Sequence, residues 1–307
     1  MSIFKFFRPS IKVVTHNGSF HADDVFACAT LQLWAEKEGR RLKITRTRDP
    51  EITSKADIVL DTGNIYDPEK NRFDHHQPGG ASVRENGIPY ASFGLIWKHY
   101  GKEICDEETH KKVEENLVLP IDARDNGVNI SKPNELGLTD YRVSDAIHTF
   151  NPSWLEEENQ AFRQFKKALK FAKEVLGREL VWEKAAVEGA RLTRGAIEAQ
   201  NNPEILVLDK RVDSEKEVTK HKNIKFIASK SKANNNWSVI SAKDDLEDYH
   251  SNRAVFPEKW RGLRDVELAE ISGVSGAIFC HRGGWMVKAE TKEAALEMAR
   301  LALAKTG

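Results

Sequence analysis

Short apolar segments in the first part of this chain end, one after another, in clusters of imidazole and carboxylate. The stretch THNGSFHADD, Thr15 to Asp24, sets two histidines and two adjacent aspartates directly behind the run Ile11 to Val14. Asp61-Thr62-Gly63 closes Asp57-Ile-Val-Leu60, and Asp74-His75-His76 closes Asn71-Arg-Phe73. A fourth cluster, IDARDNG, holds Asp122 and Asp125 and is read in the same way. The carboxyl ends of strands in an open parallel sheet converge on one crevice, so four separate segments can serve one site.

The segments Ile11 to Val14, Leu42 to Thr45, Ile58 to Leu60 and Asn71 to Phe73 alternate with helix and turn signals, which predicts an α/β fold with a largely parallel sheet. Asp23 to Glu36 carries apolar residues on nearly every face (Val25, Phe26, Leu31, Leu33, Trp34), as a well-buried helix does, with Asp23 and Asp24 at its N-terminal end. From Ser153 to about Ala199 the pattern changes to charged helix with an apolar stripe of Phe162, Phe165, Leu169 and Leu176. New strand signals follow at Ile205 to Leu208, Lys225 to Ala228, Trp237 to Ser241, Ala277 to Cys280 and Met286 to Lys288, then a closing helix from Lys292. The polar run Lys230 to Asn236 reads as a loop. A chain of 307 residues exceeds the usual size of one core, and the expected division is 1–150, a helical connector 151–202, and a smaller α/β domain 203–307.

Several classes are excluded. No apolar run approaches the roughly 20 residues of a membrane span. Cys28, Cys105 and Cys280 are scattered and form no CxxC pair, which argues against disulfides and thiolate zinc and for a reducing compartment; cytoplasm is the expectation. The opening MSIFKFFRPS leaves little room for a cleavable signal before the first strand signal. Formal net charge is zero, so a polyanion would need a local basic patch.

Imidazole and carboxylate without thiolate suit a divalent ion of intermediate softness, Mn²⁺ ahead of structural zinc, with Mg²⁺ and other divalent ions open. The donors exceed the need of one ion. Two ions about 3.5–4 Å apart would activate a water and clamp a phosphorus oxyanion, the chemistry of phosphoester hydrolysis. Any one of these residues alone is more simply a cap or turn residue, and Asp61 ahead of Gly63 and Asp125 ahead of Asn126-Gly127 read as turns equally well. Four of the ten histidines fall in just two of the clusters, which weighs against the turn reading for the set.

The motifs HNGSFHADD, RTRDP, DTG, DHHQ, IDARDNG, WRGLRD, SGV and FCHRGGW, in this order along almost the whole chain, resemble the MYG family of the DHH phosphoesterase superfamily. That resemblance implies two domains facing across a cleft that holds the active site, a divalent metal centre in the first and substrate contacts from the second. It makes His16, Asp23, Asp61 and His75 metal ligands, with Asp122 and Asp125 competing for a further place. His76 would touch the scissile phosphate or the leaving group, and His21 and Asp74 join it as catalytic candidates. The superfamily pattern HxxxDxD is altered here, because His16 is followed by His21 and Asp23, one residue longer and with His in place of the first Asp.

Downstream, Arg253, Arg261, Arg264 and His281 with Gly283-Gly284 would form a positive wall, since guanidinium forks and exposed amides suit phosphate oxygens. Each arginine alone reads equally as a solvated charge, and HRGGW as a hairpin turn. Arg46 and Arg48, near the end of the second strand, are further phosphate candidates, although alternating charges also mark an edge strand. Trp260 and Trp285 beside arginines offer stacking platforms for a single strand.

The leading expectation is a metal-dependent phosphodiesterase on single-stranded RNA or short oligonucleotides, a 3′-to-5′ exoribonuclease as the resemblance implies, working by attack of a metal-activated hydroxide. Hydrolysis of pyrophosphate or a dinucleotide, and a non-enzymatic metal-stabilised binding protein, are the alternatives. A homodimer is left open. No HExxH and no nucleophile elbow supports peptide hydrolysis.

Overall fold

β-Branched runs and buried helices alternate along the chain. In this computed structural model, which describes residues 10–157, 160–232, 234–248 and 250–304, they form two compact units, Met1–Glu183 and Lys184–Gly307. The opening MSIFKFFRP, part of the Lys230 to Asn236 loop and two residues of the predicted helical stretch after Ser153 lie outside the described residues.

In the first unit β1 (Ile11–Thr15) leads into α1 (Ala22–Lys37), β2 (Leu42–Arg46), α2 (Pro50–Ser54) and β3 (Ile58–Leu60), followed by β4 (Tyr66–Asp67) and β5 (Arg72–Phe73). β1 pairs in parallel with β2 on one side, Val13 opposite Ile44, and with β3 on the other, Val13 opposite Ile58. β3 pairs in parallel with β5, and β4 closes the edge antiparallel to it, giving the order β2-β1-β3-β5-β4. The chain thus leaves β1 to one side and returns on the other, so the crevice at the carboxyl ends opens between β1 and β3. His16 and Asp61 are the first residues beyond those two strands.

Alternation along the strands explains the layers: Ile11, Val13, Ile58, Leu60 and Phe73 face the main core, while Val14 and Val59 pack with Ala56 on the opposite face. α1 is buried from Ala22 through Leu31, as its apolar faces predict. The structure adds a helical region that the sequence pattern did not yield: α3 (Ser92–Ile96), a π-helical turn at Trp97–Gly101, α4 (Lys102–Ile104), α5 (Glu107–Val113), a second π turn at Glu114–Val118, and α6 (Leu119–Asp125). Asp122 and Asp125 therefore ride on a helix and do not follow a strand. The run Leu117 to Ile121 is short and apolar, with Leu117, Val118 and Ile121 buried, and in such a run periodicity does not separate strand from helix.

α7 (Val143–His148) precedes α8 (Ala161–Ala199), one continuous helix where a series of helices was expected. Phe165, Ala168, Leu169, Ala172 and Leu176 bury its stripe against the first core. Phe162 departs from that stripe: it is 45% exposed, with the Lys166 ammonium 4.5 Å from its ring centroid.

The second unit holds β6 (Ile205–Leu208), α9 (Glu215–Val218), β7 (Phe226–Lys230), β8 (Trp237–Ser241), α10 (Asp265–Ser272), β9 (Ala277–Cys280), β10 (Met286–Ala289) and α11 (Lys292–Leu303). Its sheet runs β6-β7-β8-β10-β9, with only β6 and β7 parallel. Phe226, Ala228, Val239 and Val287 face Ala295, Met298 and Ala299 of α11; Leu206, Leu208 and Ile227 pack on the other face with Val218. Cys28, Cys105 and Cys280 are free thiols. No described helix is long and apolar enough to cross a membrane.

α3 is locked to α6 by one close approach. The Gly94 N–H donates to Asp122 Oδ1 at 3.0 Å, and a Cβ at Gly94 would collide with the Asp122 carboxylate and the Arg84 guanidinium. Gly94→Ala is expected to cost about 3 kcal/mol, the upper range of overpacking in a tight core. The urea midpoint of the metal-free protein measures it.

Candidate metal centre

α1 begins with two carboxylates in its first turn, where the exposed N–H groups and the helix dipole favour negative charge. The His21 N–H donates to Asp24 Oδ1 at 2.7 Å and fixes that turn. The two adjacent acids serve two imidazoles: Asp24 Oδ2 lies 3.6 Å from His16 Nε2, and Asp23 Oδ2 lies 3.7 Å from His75 Nε2. Asp61 stands between the imidazoles, its Oδ2 3.2 Å from His16 Nε2 and its Oδ1 3.3 Å from His75 Nε2. Asp125, at the end of α6, approaches His75 Nε2 at 3.3 Å. The donors fall into three groups of mutual reach: His16, Asp24 and Asp61; Asp61, His75 and His76; His21, Asp23 and Asp125.

Each imidazole is aimed by the backbone around it. His16 Nδ1 lies 3.0 Å from the Asn17 carbonyl, and an N–H donated there leaves the Nε2 lone pair facing the acids. Asp61 holds φ +52°, a left-handed conformation uncommon for a residue with a side chain, at the point where β3 ends and its carboxylate must turn into the crevice. The Ser92 hydroxyl lies within hydrogen-bond distance of both Asp61 Oδ1 (3.2 Å) and the Phe73 carbonyl (3.1 Å). Asp74 accepts from the Asn64 N–H at 2.6 Å, the His76 N–H at 3.1 Å and His76 Nδ1 at 2.9 Å. Asp74 is therefore a positioning residue, and it leaves Nε2 of His76, whose side chain is 57% exposed, as that ring's free nitrogen.

The charges explain the perturbed acidities. Burial, then the neighbouring charges of Asp61, Asp125 and Asp24, pushes the Asp23 carboxyl well up. Burial, with the charge of Asp61 working against that of His16, pushes Asp24 up to about 7. Burial also opposes ionisation of Asp61, but the imidazoles of His16 and His75 outweigh it and hold that carboxyl below its usual range. Burial opposes protonation of His16 and His75, and the facing carboxylates overcome it and raise both. The buried Cys28 thiol is pushed well up by desolvation, which disfavours a thiolate nucleophile.

Both oxygens of Asp23, Asp24 Oδ2 and His75 Nε2 are buried without a hydrogen-bond partner. Buried carboxylate oxygens left unpaired are costly, and divalent cations held by these donor groups would satisfy them. The residues present fit such an ion. They form a mixed oxygen–nitrogen set without thiolate, suited to Mn²⁺ and similar ions.

Asp122 does not join this cluster. Its Oδ1 accepts the Gly94 N–H, and its Oδ2 accepts from Arg84 Nη2 at 2.7 Å, beside the Arg84–Glu114 ion pair, also 2.7 Å. Both oxygens are thus engaged, Oδ1 holding α6 to α3 and Oδ2 holding it to Arg84 in the preceding loop, and of the two acids in IDARDNG it is Asp125 that faces His75. Arg48 reaches the crevice: its Nη1 donates to Asn17 and its Nη2 lies 3.3 Å from His16 Nδ1. Arg46 does not line the crevice. Its Nη2 donates to the Gly18 carbonyl at 2.7 Å, and its guanidinium lies 4.7 Å from the Phe165 ring centroid and 5.3 Å from that of Phe20. A cavity of about 810 Å³ lined by His16, His21, Arg48, Asp61, Asp74 and His76 opens onto the cluster.

In the second unit Arg253 is a structural plug. Its side chain is 2% exposed and donates to the carbonyls of His221 (2.8 Å), Ile224 (2.9 Å) and Thr219 (2.9 Å) and to Asp244 (2.9 Å), which leaves no free face for phosphate. Arg264 lies over the Phe279 ring at 4.6 Å. Arg261 Nε donates to the Phe256 carbonyl at 3.1 Å. His281 Nδ1 accepts the Gly283 N–H at 3.0 Å, and its ring lies 4.4 Å from that of Trp285. Gly284, at φ +69°, lies so close to Arg261 that a Cβ would stand 2.6 Å from its Nε. HRGGW is accordingly a turn, joining β9 to β10, with Arg261 packed on it. Trp260 is fully buried core, whereas Trp285 is 38% exposed.

Asp24 and Ser92 belong to this site and were not singled out from sequence. Asp24 carried a signal, the second of two acids at a helix start; Ser92, 31 residues beyond Asp61, carried none.

Fold and donor set define a metal-binding α/β protein with its centre at the sheet's switch point. The profile of the MYG1 exonuclease family, described as "Uncharacterised protein family (UPF0160)", matches residues 12–303, and the chain belongs to this family. Its relatives include the MYG1 exonuclease of Homo sapiens (33% identical, covering 96% of this chain and 86% of that one), the MYG1 protein of Dictyostelium discoideum (30%, 94% and 95%) and a MYG1 protein of Chlamydia pneumoniae (32%, 95% and 97%). Among solved structures, RecJ from Thermus thermophilus in complex with Mn²⁺ aligns with 98% of this chain and 53% of its own at 14% identity, with a TM-score of 0.28, too low to bear on the fold or chemistry here.

Two measurements check the centre. Asp125→Asn is expected to weaken Mn²⁺ binding at least tenfold, as loss of a ligand or its partner does. Asp122→Asn is expected to lower stability by about 2 kcal/mol by removing one of the two carboxylates paired with Arg84, with metal stoichiometry of the folded protein unchanged. The pH response follows from the acidities. Asp24 is raised to about 7, and Asp23, His16 and His75 are raised too, so the native metal-free state holds more protons than the unfolded chain. That contribution is present at low pH and is lost as pH rises through the native values; Asp61, shifted the other way, titrates below this window. The melting temperature of the metal-free protein should therefore fall between about pH 5 and 8, and saturating Mn²⁺ should reverse the trend because ligands bind deprotonated.

Proposed function

We propose that the protein is a metal-dependent phosphodiesterase of the DHH phosphoesterase class that hydrolyses single-stranded RNA or short oligonucleotides, as a 3′-to-5′ exoribonuclease using Mn²⁺. The observation that carries this reading is the set of buried, unpartnered carboxylate oxygens of Asp23 and Asp24 and the His75 imidazole nitrogen around Asp61, beside a cavity with a free histidine and an arginine. The MYG1 exonucleases among its relatives support it. His16, Asp23, Asp24, Asp61, His75 and Asp125 would hold the metal. A divalent ion bound there supplies Lewis acidity to water and to a phosphoryl oxygen.

The protein's own groups do the rest. Arg48, beside His16, offsets the charge of a phosphate entering the larger cavity. His76, with Nδ1 held by Asp74, presents Nε2 to a phosphoryl or leaving-group oxygen and can pass a proton there. His21 lines the same cavity. In this reading residues 1–150 carry the chemistry, 151–202 connect, and 203–307 select substrate through Arg261, Arg264, His281, Gly283 and Gly284. Pyrophosphate and dinucleotides need only the metal centre and are the competing substrates.

A panel of oligoribonucleotide, oligodeoxyribonucleotide, pyrophosphate and dinucleotide, each with Mn²⁺, tests the assignment. The expected result is stepwise shortening of 5′-labelled RNA, abolished by chelator, with His76→Ala lowering kcat about 10²–10⁴-fold at unchanged metal content. Turnover of pyrophosphate alone would overturn the nuclease reading.

A further inference from the structure

The acids of the centre face two cavities, and His21 lines both. The second cavity, about 390 Å³, has Asp23 and Asp125 on one side and Arg124, Ser144, Asp145 and His148, from α6 and α7, on the other. Ala22 and Ile121 are the only apolar side chains in its lining, among the described residues. No Phe, Tyr or Trp lines it, and its rings are the imidazoles of His21 and His148. What it offers is hydrogen-bonding groups directly against the metal ligands.

Those groups are lightly committed. Neither the Ser144 hydroxyl nor the His148 ring has a hydrogen-bond partner among the described residues. Asp145 Oδ2 accepts the Arg142 N–H at 2.9 Å, which fixes the carboxylate at the start of α7, while Oδ1 has only Arg124 Nη2 at 3.8 Å. A rigid acceptor, a free hydroxyl and a loosely held guanidinium therefore face one space. Vicinal hydroxyls, each both donor and acceptor, match the first two, and a neighbouring phosphate matches the third.

We infer that this second cavity receives the ribose of the nucleotide at the scissile phosphate, with Ser144 and Asp145 reading its 2′- and 3′-hydroxyls and Arg124 meeting the adjoining phosphate. The inference rests on the phosphodiesterase reading for the position of the phosphate, and it makes these residues the point at which RNA is told from DNA, since the 2′-hydroxyl is what distinguishes them.

Binding tests it independently of turnover. The Mn²⁺-loaded protein is titrated with adenosine 5′-monophosphate and with its 2′-deoxy counterpart, by calorimetry, in wild type, Ser144→Ala and Asp145→Asn. Wild type is expected to bind the ribonucleotide about tenfold more tightly, the effect of one hydrogen bond of about 1.4 kcal/mol. The variant that removes the partner of the 2′-hydroxyl should bring the ratio toward one by weakening the ribonucleotide alone, and the variant that removes the partner of the 3′-hydroxyl, which both nucleotides carry, should weaken the two alike. Ser144→Ala removes no bond within the protein and guards against a folding defect in Asp145→Asn. Equal affinity of wild type for the two nucleotides, or a preference that survives Ser144→Ala and Asp145→Asn, would overturn the inference. Failure of the phosphodiesterase reading itself shows separately, as an absence of hydrolysis in the substrate panel.

Discussion

Four carboxylates, Asp23, Asp24, Asp61 and Asp125, are brought to within reach of three imidazoles in a largely buried space, and most of the first unit can be understood as the means of holding them there. Mutual repulsion and lost hydration both oppose such a cluster. Its resolution in the metal-free state is uneven. Asp61, with an imidazole on each oxygen, keeps its charge, while Asp23 and Asp24 are driven toward the protonated form. The two donor groups that contain Asp61 meet at that residue.

The sheet topology supplies the convergence. His16 and Asp61 leave adjacent parallel strands on the two sides of the switch point, His75 leaves the next strand, and α1 starts where its first turn can add Asp23 and Asp24. His16, Asp61 and His75 were legible in the sequence because each follows a short strand-like run, a signal that holds wherever a strand feeds a crevice. The helix α1 was legible too, since a helix with apolar residues on nearly every face has only a buried place to go. The segment from Ser92 to Asp125 was not. Its apolar runs are short and interrupted by π turns, so neither a helical nor a strand period develops. Asp24 and Ser92 remained hidden for different reasons: one looked like a helix cap, which it also is, and the other acts through a contact with no sequence pattern.

α6 separates two acids that the sequence alone left in competition. Asp122 and Asp125 lie three residues apart and so on neighbouring parts of one helical face, yet their partners differ entirely. Asp122 is fully buried against Gly94 and Arg84, and burial pushes its carboxyl up to about 7 even with the guanidinium opposing. Asp125 sits at the helix end and keeps an open side toward His75. A helix anchored through one acid can present the other with little freedom, so the buried Arg84 network contributes to the geometry of the centre without touching it. A smaller residue than glycine does not exist at position 94, which makes that anchoring contact intolerant of any side chain.

Arg46 and Arg48 show how residues expected to meet a substrate can act on the site from behind. Both extend from the end of β2 to the loop that joins β1 to α1, Arg46 through the Gly18 carbonyl and Arg48 through Asn17. That loop carries His16 at one end and His21 at the other, so the two guanidiniums set the distance between the first strand's ligand and the start of the helix. Arg46 also lies between two aromatic rings, where water is largely excluded and its charge is felt further. Its field favours the ionised form of Asp24 against the combined effect of burial and Asp61. One arginine thus fixes the loop and tempers the repulsion among the acids, while the other, two residues on, is left at the rim of the larger cavity beside His16. The difference arises from their surroundings, because Phe20 and Phe165 enclose the first guanidinium and nothing comparable encloses the second.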